Sequence, residues 1–584
     1  MKHLKKITLI SALFASAMLP SCKKYLDQVP DDRQTIEEVF QKKGPTEQYL
    51  ANVYSFIKDE GDQWGVNYWV GNTDEMEIAW AKHPIYRLNV GNWSAADAPL
   101  HTWPEYYQGV RSATYFINHI DGNKEILALN GQKLIDQYKA EARFLRAYFY
   151  SQLMKQYGPV VIIGDKELPV DAALSDLQLA RSPYDVCVNY LSSELDEAAK
   201  FLPLVPAEDR DYGRISKGAA LALKARMLLY DASPEFNGNT TWSGFKNADG
   251  TNLISQTFDR EKWKKAADAA KAVIDLGIYD LYKDPGNNPI KSYRGAHLVP
   301  WNSESIFVKK NNNMWYWDIH ASIRAAGGWN GLGPTQELVD AYLMKDGKSI
   351  TESPLYNENG YTNNIRNMYV NREPRFYASI QFNGMKFKGG AVTGDSVNLE
   401  FNFTGRDGKK NGGEDYSHTG YLVFKDVSPE TNRLTNQNAS RPQVMIRLAE
   451  MYLNYAEALA EYGGNDAEAV KYVNLIRERA GIPQYGAGPN QLPVPAGANL
   501  IRAIRAERRI ELAFEQHRWF DVRRWKTVAG IMGNLHGMNV ENDGDGFYQR
   551  VVVGNHLWKE NYYFFPIQQS EIDRDKLMVQ NPGW

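Results

Sequence analysis

Tryptophan is the residue of most chemical interest here. The chain holds 15 Trp and 35 Tyr, and aromatic residues make up 12% of it. A core does not need that much indole. Trp64, Trp69, Trp80, Trp93 and Trp103 fall in one window, and Trp301, Trp315, Trp317 and Trp329 in a second. Both windows are loop-like and rich in Gly, Asn and Asp. An indole is flat and apolar with a polar edge. The C–H face of a pyranose can lie against it while amides and carboxylates bond the hydroxyls. Asn67, Asn72, Asp74 and Glu75 supply such groups in the first window, and Asp318, Arg324 and Asn330 in the second. The stacking candidates are Trp80, Trp93, Trp315, Trp317 and Trp329, with Asn72 and Asp74 as hydroxyl partners. In an extended segment Trp315 and Trp317 would share one face. The glycines around Trp329 would let backbone approach a ligand closely. The competing reading is core packing, which fits Trp103, Trp263, Trp301 and Trp525 best.

Catalytic patterns are weaker. Glu511 and Glu515 stand at i,i+4, one above the other on a helix, and a glycosidase needs two carboxyls flanking a bond. Arg508, Arg509 and Arg518 lie within helical reach of them, so a structural ion network is expected instead of catalysis. There is no His-Glu-x-x-His and no Gly-x-Ser-x-Gly. Gly347-Lys348-Ser349 ends like a phosphate-binding loop, but Tyr342 replaces its first Gly. The ten His lack metal-ligand spacing. Asp543-Gly544-Asp545-Gly546 offers oxygen ligands suited to Ca²⁺ but lacks the twelfth-position Glu of an EF-hand. A plain turn is expected there, and no cofactor.

The elements that must position these residues are mainly helical. Ile135, Tyr138, Ala142, Leu145, Phe149 and Leu153 mark one helix face, ended by Gly158-Pro159. Ile215, Ala219, Leu223, Met227 and Tyr230 mark another, and Ala266, Ala270, Val273 and Ile274 a third. A second helical block covers residues 442–525. Val444, Leu448, Met451, Tyr455 and Leu459 form its first stripe, stopped by Gly463-Gly464. Asn465 with Glu468 resembles a capping box opening the next helix, which ends at Gly481. Such helix pairs suit tetratricopeptide-like stacking. Residues 285–440 change texture to Gly, Asn and aromatics, with short strand-like runs at 376–382 and 421–427. Residues 526–584 read similarly. A helical scaffold over 41–283 and 442–525 therefore carries a loop-rich part over 285–440 and 526–584, all in one domain.

Composition narrows the function classes. A 584-residue chain with 43% hydrophobic and 23% charged residues is folded. A formal net charge of −3 gives no basic face for nucleic acid. Cys22 and Cys187 are too few for a disulfide scaffold, and core packing is expected for Cys187. Lys2, Lys5 and Lys6, the apolar stretch 7–19 and Ser21-Cys22 describe a signal peptide over 1–21. Ser21-Cys22 resembles a bacterial lipobox whose Cys is lipidated, although Pro20 stands where a small residue is usual. Its removal leaves 64 Lys+Arg against 70 Asp+Glu, net −6. Residues 22–40 read as a lipidated tether, and no later apolar run suffices for a transmembrane helix.

Several segments then resemble one family. Ala140-Glu-Ala-Arg-Phe-Leu-Arg-Ala-Tyr-Phe-Tyr150, running on to Tyr157-Gly158-Pro159-Val160, is similar to the early helix of the SusD-like (RagB/SusD) nutrient-binding lipoproteins. Arg372-Glu-Pro-Arg-Phe-Tyr377 resembles their turn, and Arg447-Leu-Ala-Glu-Met-Tyr-Leu-Asn-Tyr-Ala-Glu-Ala458 their tetratricopeptide-like helix. Glu507-Arg-Arg-Ile-Glu-Leu512 with Glu515, Arg518, Asp521, Arg524 and Trp525 resembles their late element. Leu26-Asp27 with Pro30, Pro566-Ile567 to Glu571, and Asn581-Pro582-Gly583 fit in the same order. The resemblance implies a mainly α fold with four tetratricopeptide-like helix pairs and a loop-rich binding face. It implies a Bacteroidota outer-membrane lipoprotein facing outward, without catalysis, that captures glycan for a SusC-like TonB-dependent transporter. Family binding residues come from two corresponding regions, so both Trp windows are expected to meet on one surface. A secreted glycoside hydrolase and a tetratricopeptide-like protein adaptor are the alternative functions.

Overall fold

The structure is a computed structural model that describes residues 36–59, 69–169, 171–206, 208–310, 312–387 and 396–584. The signal peptide, the lipobox Cys22, Trp64 and Asn67 lie outside the described residues.

Among the described residues, eight helices follow one another as four tetratricopeptide-like pairs. They are Trp103–His119 with Gln132–Tyr157, Tyr184–Phe201 with Lys217–Ala232, Glu261–Ile274 with Leu448–Tyr462, and Asp466–Ala480 with Ala498–Glu511. Each packs on the next in the row. The apolar stripes face inward: Ile135, Leu145, Phe149, Leu223, Ala270, Met451 and Ile504 are all buried. Helix ends follow backbone chemistry. Gly158 (φ 73°), Gly463 (φ 81°) and Gly481 (φ 72°) take positive φ where the chain turns away. Ser216 Oγ caps the Lys217–Ala232 helix by accepting from Ala219 N. The expected capping box differs. Asn465 precedes the Asp466–Ala480 helix, but its side chain makes no capping bond. Cys187 is buried on the Tyr184–Phe201 helix, where burial pushes its thiol up to about 12.

The sequence leaves the helical row after Ile274 and rejoins it at Leu448. Strand Ser305–Lys309 pairs antiparallel with Gln443–Arg447, in the register Gln443 to Lys309 and Arg447 to Ser305. This clasp brings the two ends of the loop-rich excursion together beside the scaffold. Inside it, strands among the described residues form only two-stranded sheets. The strand-like reading of 376–382 holds only at its end. Pro374 sits in the first turn of a helix, Pro374–Ser379, where its missing N–H costs nothing. Ile380–Phe382 alone is strand, paired with Tyr421–Val423.

The carboxylates Glu511 and Glu515 do not share a helix. The Ala498–Glu511 helix ends at Glu511, and Phe514 and Gln516 both take φ 64°. Their partners are also not the neighbouring arginines. Glu511 is fully buried and meets Arg375 (3.1 Å), Arg447 (2.8 Å) and Arg479. Glu515 meets Arg447 (2.6 Å) and Lys425 (2.5 Å). Arg508 instead binds Asp521, while Arg509 and Arg518 bind Asp74. Three of the segments that carried the family resemblance thus meet in one buried ion network, joining the Arg375 turn, the clasp and the end of the last scaffold helix.

Candidate aromatic binding cleft

The two Trp windows meet through backbone pairing. Strand Met76–Ile78 runs antiparallel to Leu332–Pro334, with Ile78 opposite Leu332. Ala79 N then donates to Gly331 O at 2.9 Å. This sets Trp80 directly against Gly331. A Cβ at Gly331 would lie 1.9 Å from the Trp80 ring, so only glycine allows the contact. A Cβ at Gly328 would lie 2.1 Å from Ser322 O. These glycines are therefore required by packing inside the loop.

Residues 314–317 are not extended. Met314–His320 is a short helix, so Trp315 and Trp317 point to different sides while Tyr316 and His320 share one. The loop after it folds back: Trp329 N donates to Ile319 O (2.9 Å) and Gly331 N to His320 O (2.8 Å). Asp318, on the buried side, accepts from both arms of Arg441 (2.8 and 3.0 Å) and from Ser428 N (2.8 Å). It staples the 428–441 loop to the helix and is not a hydroxyl partner.

The result is a cleft of about 570 Å³ lined by Trp80, Lys82, Tyr316, His320, Trp329, Glu414 and Asp415. Trp329 is 41% exposed, whereas Trp80 is 7% exposed. Their rings stand edge-to-face, 6.2 Å apart at 89°. His320 lies 5.0 Å from each of them. Burial, with His83 nearby, lowers its imidazole to about 4, so it presents a neutral ring. Tyr316 follows at 5.9 Å from His320, and Trp315 stacks on Tyr316 at 3.8 Å. Trp80 Nε1 donates to Asp415 Oδ1 (2.9 Å), which turns that carboxylate toward the ring cluster. Asp415 also lies 3.9 Å from Arg324. Ring walls with a few convergent polar groups are the usual make-up of a small-ligand site.

Four of the expected residues lie elsewhere. Trp317 is 3% exposed and donates from Nε1 to Lys425 O at 3.0 Å, a core position. Trp93 packs on Tyr562, Phe565 and Trp584 at 4.4–4.8 Å, anchoring the C-terminal tail. Asn72 is buried in the Val70–Asn72 turn. Asp74 is taken by Arg509 (2.7 Å) and Arg518 (2.8 Å). Burial would raise its carboxyl, but the two guanidiniums outweigh this and lower it. None of these four offers a face or an oxygen to a ligand in the cleft. Sequence reasoning missed Lys82, Tyr316, His320, Glu414 and Asp415. The i,i+4 pair Tyr316 and His320 was readable once 314–320 was taken as helix; nothing local marked the two carboxylates.

Another opening, of about 490 Å³, lies by Lys43, Glu47, Tyr138 and Arg214. Its groups are engaged with one another: Tyr138 donates to Glu47, and Arg214 pairs with Glu141 while lying over Tyr138. In the Asp543–Gly546 turn, Asp543 accepts from Asn402 (2.6 Å) and Thr404 N (2.9 Å), and Asp545 from Tyr361 (2.8 Å) and Arg366 (2.9 Å). Protein donors hold both carboxylates there.

Residues 303–584 match the model of the SusD family, and residues 24–229 match a SusD-like model described as starch-binding, associating with the outer membrane. SusD-like protein P25 of Formosa agariphila is 23% identical over 537 residues, covering 88% of this chain and 89% of that one. The solved structure of BT4246 is 27% identical, with a TM-score of 0.82 over 93% of this chain and 99% of its own. A laminarin-binding SusD-like protein shares the fold at 19% identity, with a TM-score of 0.61 over 93% of this chain and 100% of its own.

Proposed function

The chain belongs to the SusD family, and from that premise we propose that it is a surface glycan-binding lipoprotein. It captures oligo- or polysaccharide at the Trp80–Trp329 cleft and delivers it to a SusC-like TonB-dependent transporter. It is held on the outer face of the outer membrane through lipid on Cys22. The observation that carries the reading is the cleft itself: an exposed indole at Trp329, framed by neutral rings and bordered by Asp415 and Glu414. An aromatic surface of this kind on an open face calls for a ligand or partner to cover it. The carbohydrate binding named for relatives of this fold supports a sugar as that ligand. The chain acts as a binder in this reading. The carboxylate pair that the sequence offers for hydrolysis, Glu511 and Glu515, is occupied by arginines and lysine.

The test is affinity electrophoresis through gels containing soluble polysaccharides, headed by laminarin and starch. At least one should retard the protein without releasing oligosaccharides. Trp329→Ala should weaken that retention by about 1–3 kcal/mol, by analogy with stacking of bases on aromatics. Retardation by no polysaccharide, or retention untouched by Trp329→Ala, refutes this assignment.

A further inference from the structure

We infer that the cleft takes the end, or a short side branch, of an uncharged glycan, and not a stretch in the middle of a flat chain. The inference rests on the glycan reading above and concerns which part of the glycan is read.

The ring geometry comes first. A flat polysaccharide ribbon is held by coplanar aromatic platforms set in a row. Here Trp80 stands at 89° to Trp329, in edge-to-face contact at 6.2 Å. The two indoles make a corner. His320 occupies a further side of Trp329 at 5.0 Å and 33°. Trp329 is 41% exposed while Trp80 is 7% exposed, so the corner has one broad platform and one wall. A sugar ring that stacks on the platform runs into the wall, and the chain can continue in one direction only.

Size agrees. The cleft, at about 570 Å³, is of the order of pockets that enclose compact ligands, about 300–1,000 Å³.

The charges define the ligand class. Glu414 and Asp415 are adjacent acceptors at the rim. Asp415 is oriented by Trp80 Nε1, leaving its other lone pairs for sugar hydroxyls. Two carboxylates side by side repel uronate and sulfate groups. Lys82 is the one cation among the lining residues, against two carboxylates, so the lining keeps a net negative charge; the ring walls, neutral His320 included, add none.

The experiment is calorimetry on the full chain with matched oligosaccharides: tri- and heptasaccharides of the β-1,3-, β-1,4- and α-1,4-glucan and β-1,4-mannan series, with polygalacturonate and alginate as acidic probes. In whichever neutral series binds, the dissociation constant per chain should differ by less than about threefold between the two lengths. Trp329→Ala should weaken binding of both lengths by about 5- to 150-fold, and the acidic polymers should not bind. A tightening of about tenfold or more from tri- to heptasaccharide, or tightest binding of an acidic polymer, overturns the inference while leaving the glycan assignment standing. Binding by no glycan in the set overturns both.

Discussion

A tryptophan serves as a stacking platform only if one face of its indole stays in water. Trp317 and Trp329 stand twelve positions apart in one aromatic-rich window, yet their environments are opposite. Trp317 is enclosed and hydrogen-bonded to Lys425 O; Trp329 keeps 41% of its surface. Replacing Trp317 by Ala should therefore cost about 3–5 kcal/mol of stability through the cavity it leaves. Trp329→Ala should leave the melting temperature nearly unchanged. Paired thermal melts check this, and a large loss of stability in the Trp329 variant would place that ring in the core. Asp318 and Asp415 divide in the same way. The first is closed off by Arg441 and Ser428, whereas the second faces the cleft with one oxygen on Trp80.

At the scale of elements, two-stranded pairings do the positioning. The clasp of Ser305–Lys309 on Gln443–Arg447 carries Arg447, which reaches Glu304, Glu511 and Glu515. Strand and scaffold helix are thus joined by charge as well as by backbone. Burial alone would raise the Glu511 carboxyl, but the guanidiniums of Arg479, Arg447 and Arg375 and the Lys425 ammonium outweigh it and hold it at about 2. Its pKa is therefore lower folded than unfolded. The resulting stability is complete above the ordinary carboxylate value, near 4.5, and is lost as pH falls toward 2. Glu511→Gln should strand buried guanidinium charge at neutral pH, costing on the order of 3–5 kcal/mol. The gap between variant and wild type should narrow as pH drops below about 4.5. Denaturant titrations at pH 7 and pH 3 measure it, and an equal gap at both would show that Glu511 is not the titrating contributor.

At the scale of the whole molecule, the cleft is assembled from parts remote in sequence, while the membrane attachment proposed above rests on the single residue Cys22. No helix among the described residues is long and apolar enough to cross a membrane. Two acyl chains hold a protein on a bilayer firmly where one is marginal. In the reading proposed above, lipid on Cys22 holds the protein on the membrane. Cys22→Ala should fold with an unchanged melting temperature and move from the outer-membrane to the soluble fraction in cells lacking the transporter. Continued outer-membrane fractionation there would refute the anchor.

The sequence by itself determined the family and the helical scaffold. Apolar residues repeating every three to four positions must share a helix face, and Gly158, Gly463 and Gly481 end helices because positive φ is open to glycine at little cost. Those are local constraints, written within a few residues. It also marked two aromatic windows, and the structure brings Trp80 and Trp329 of those windows together in one cleft. Which indole stays wet was a tertiary decision. Indole is at home in a core and at a binding face alike, so composition could not separate Trp93 and Trp317 from Trp329. The partners of Glu511 were equally hidden, since Arg375, Arg447 and Arg479 reach it only after the clasp and the helix row bring them together. Asp415 carries no local signal at all. It becomes part of the cleft because its carboxylate meets Trp80 across 335 positions of sequence, and long-range pairing of that kind is set by the packing of the whole chain.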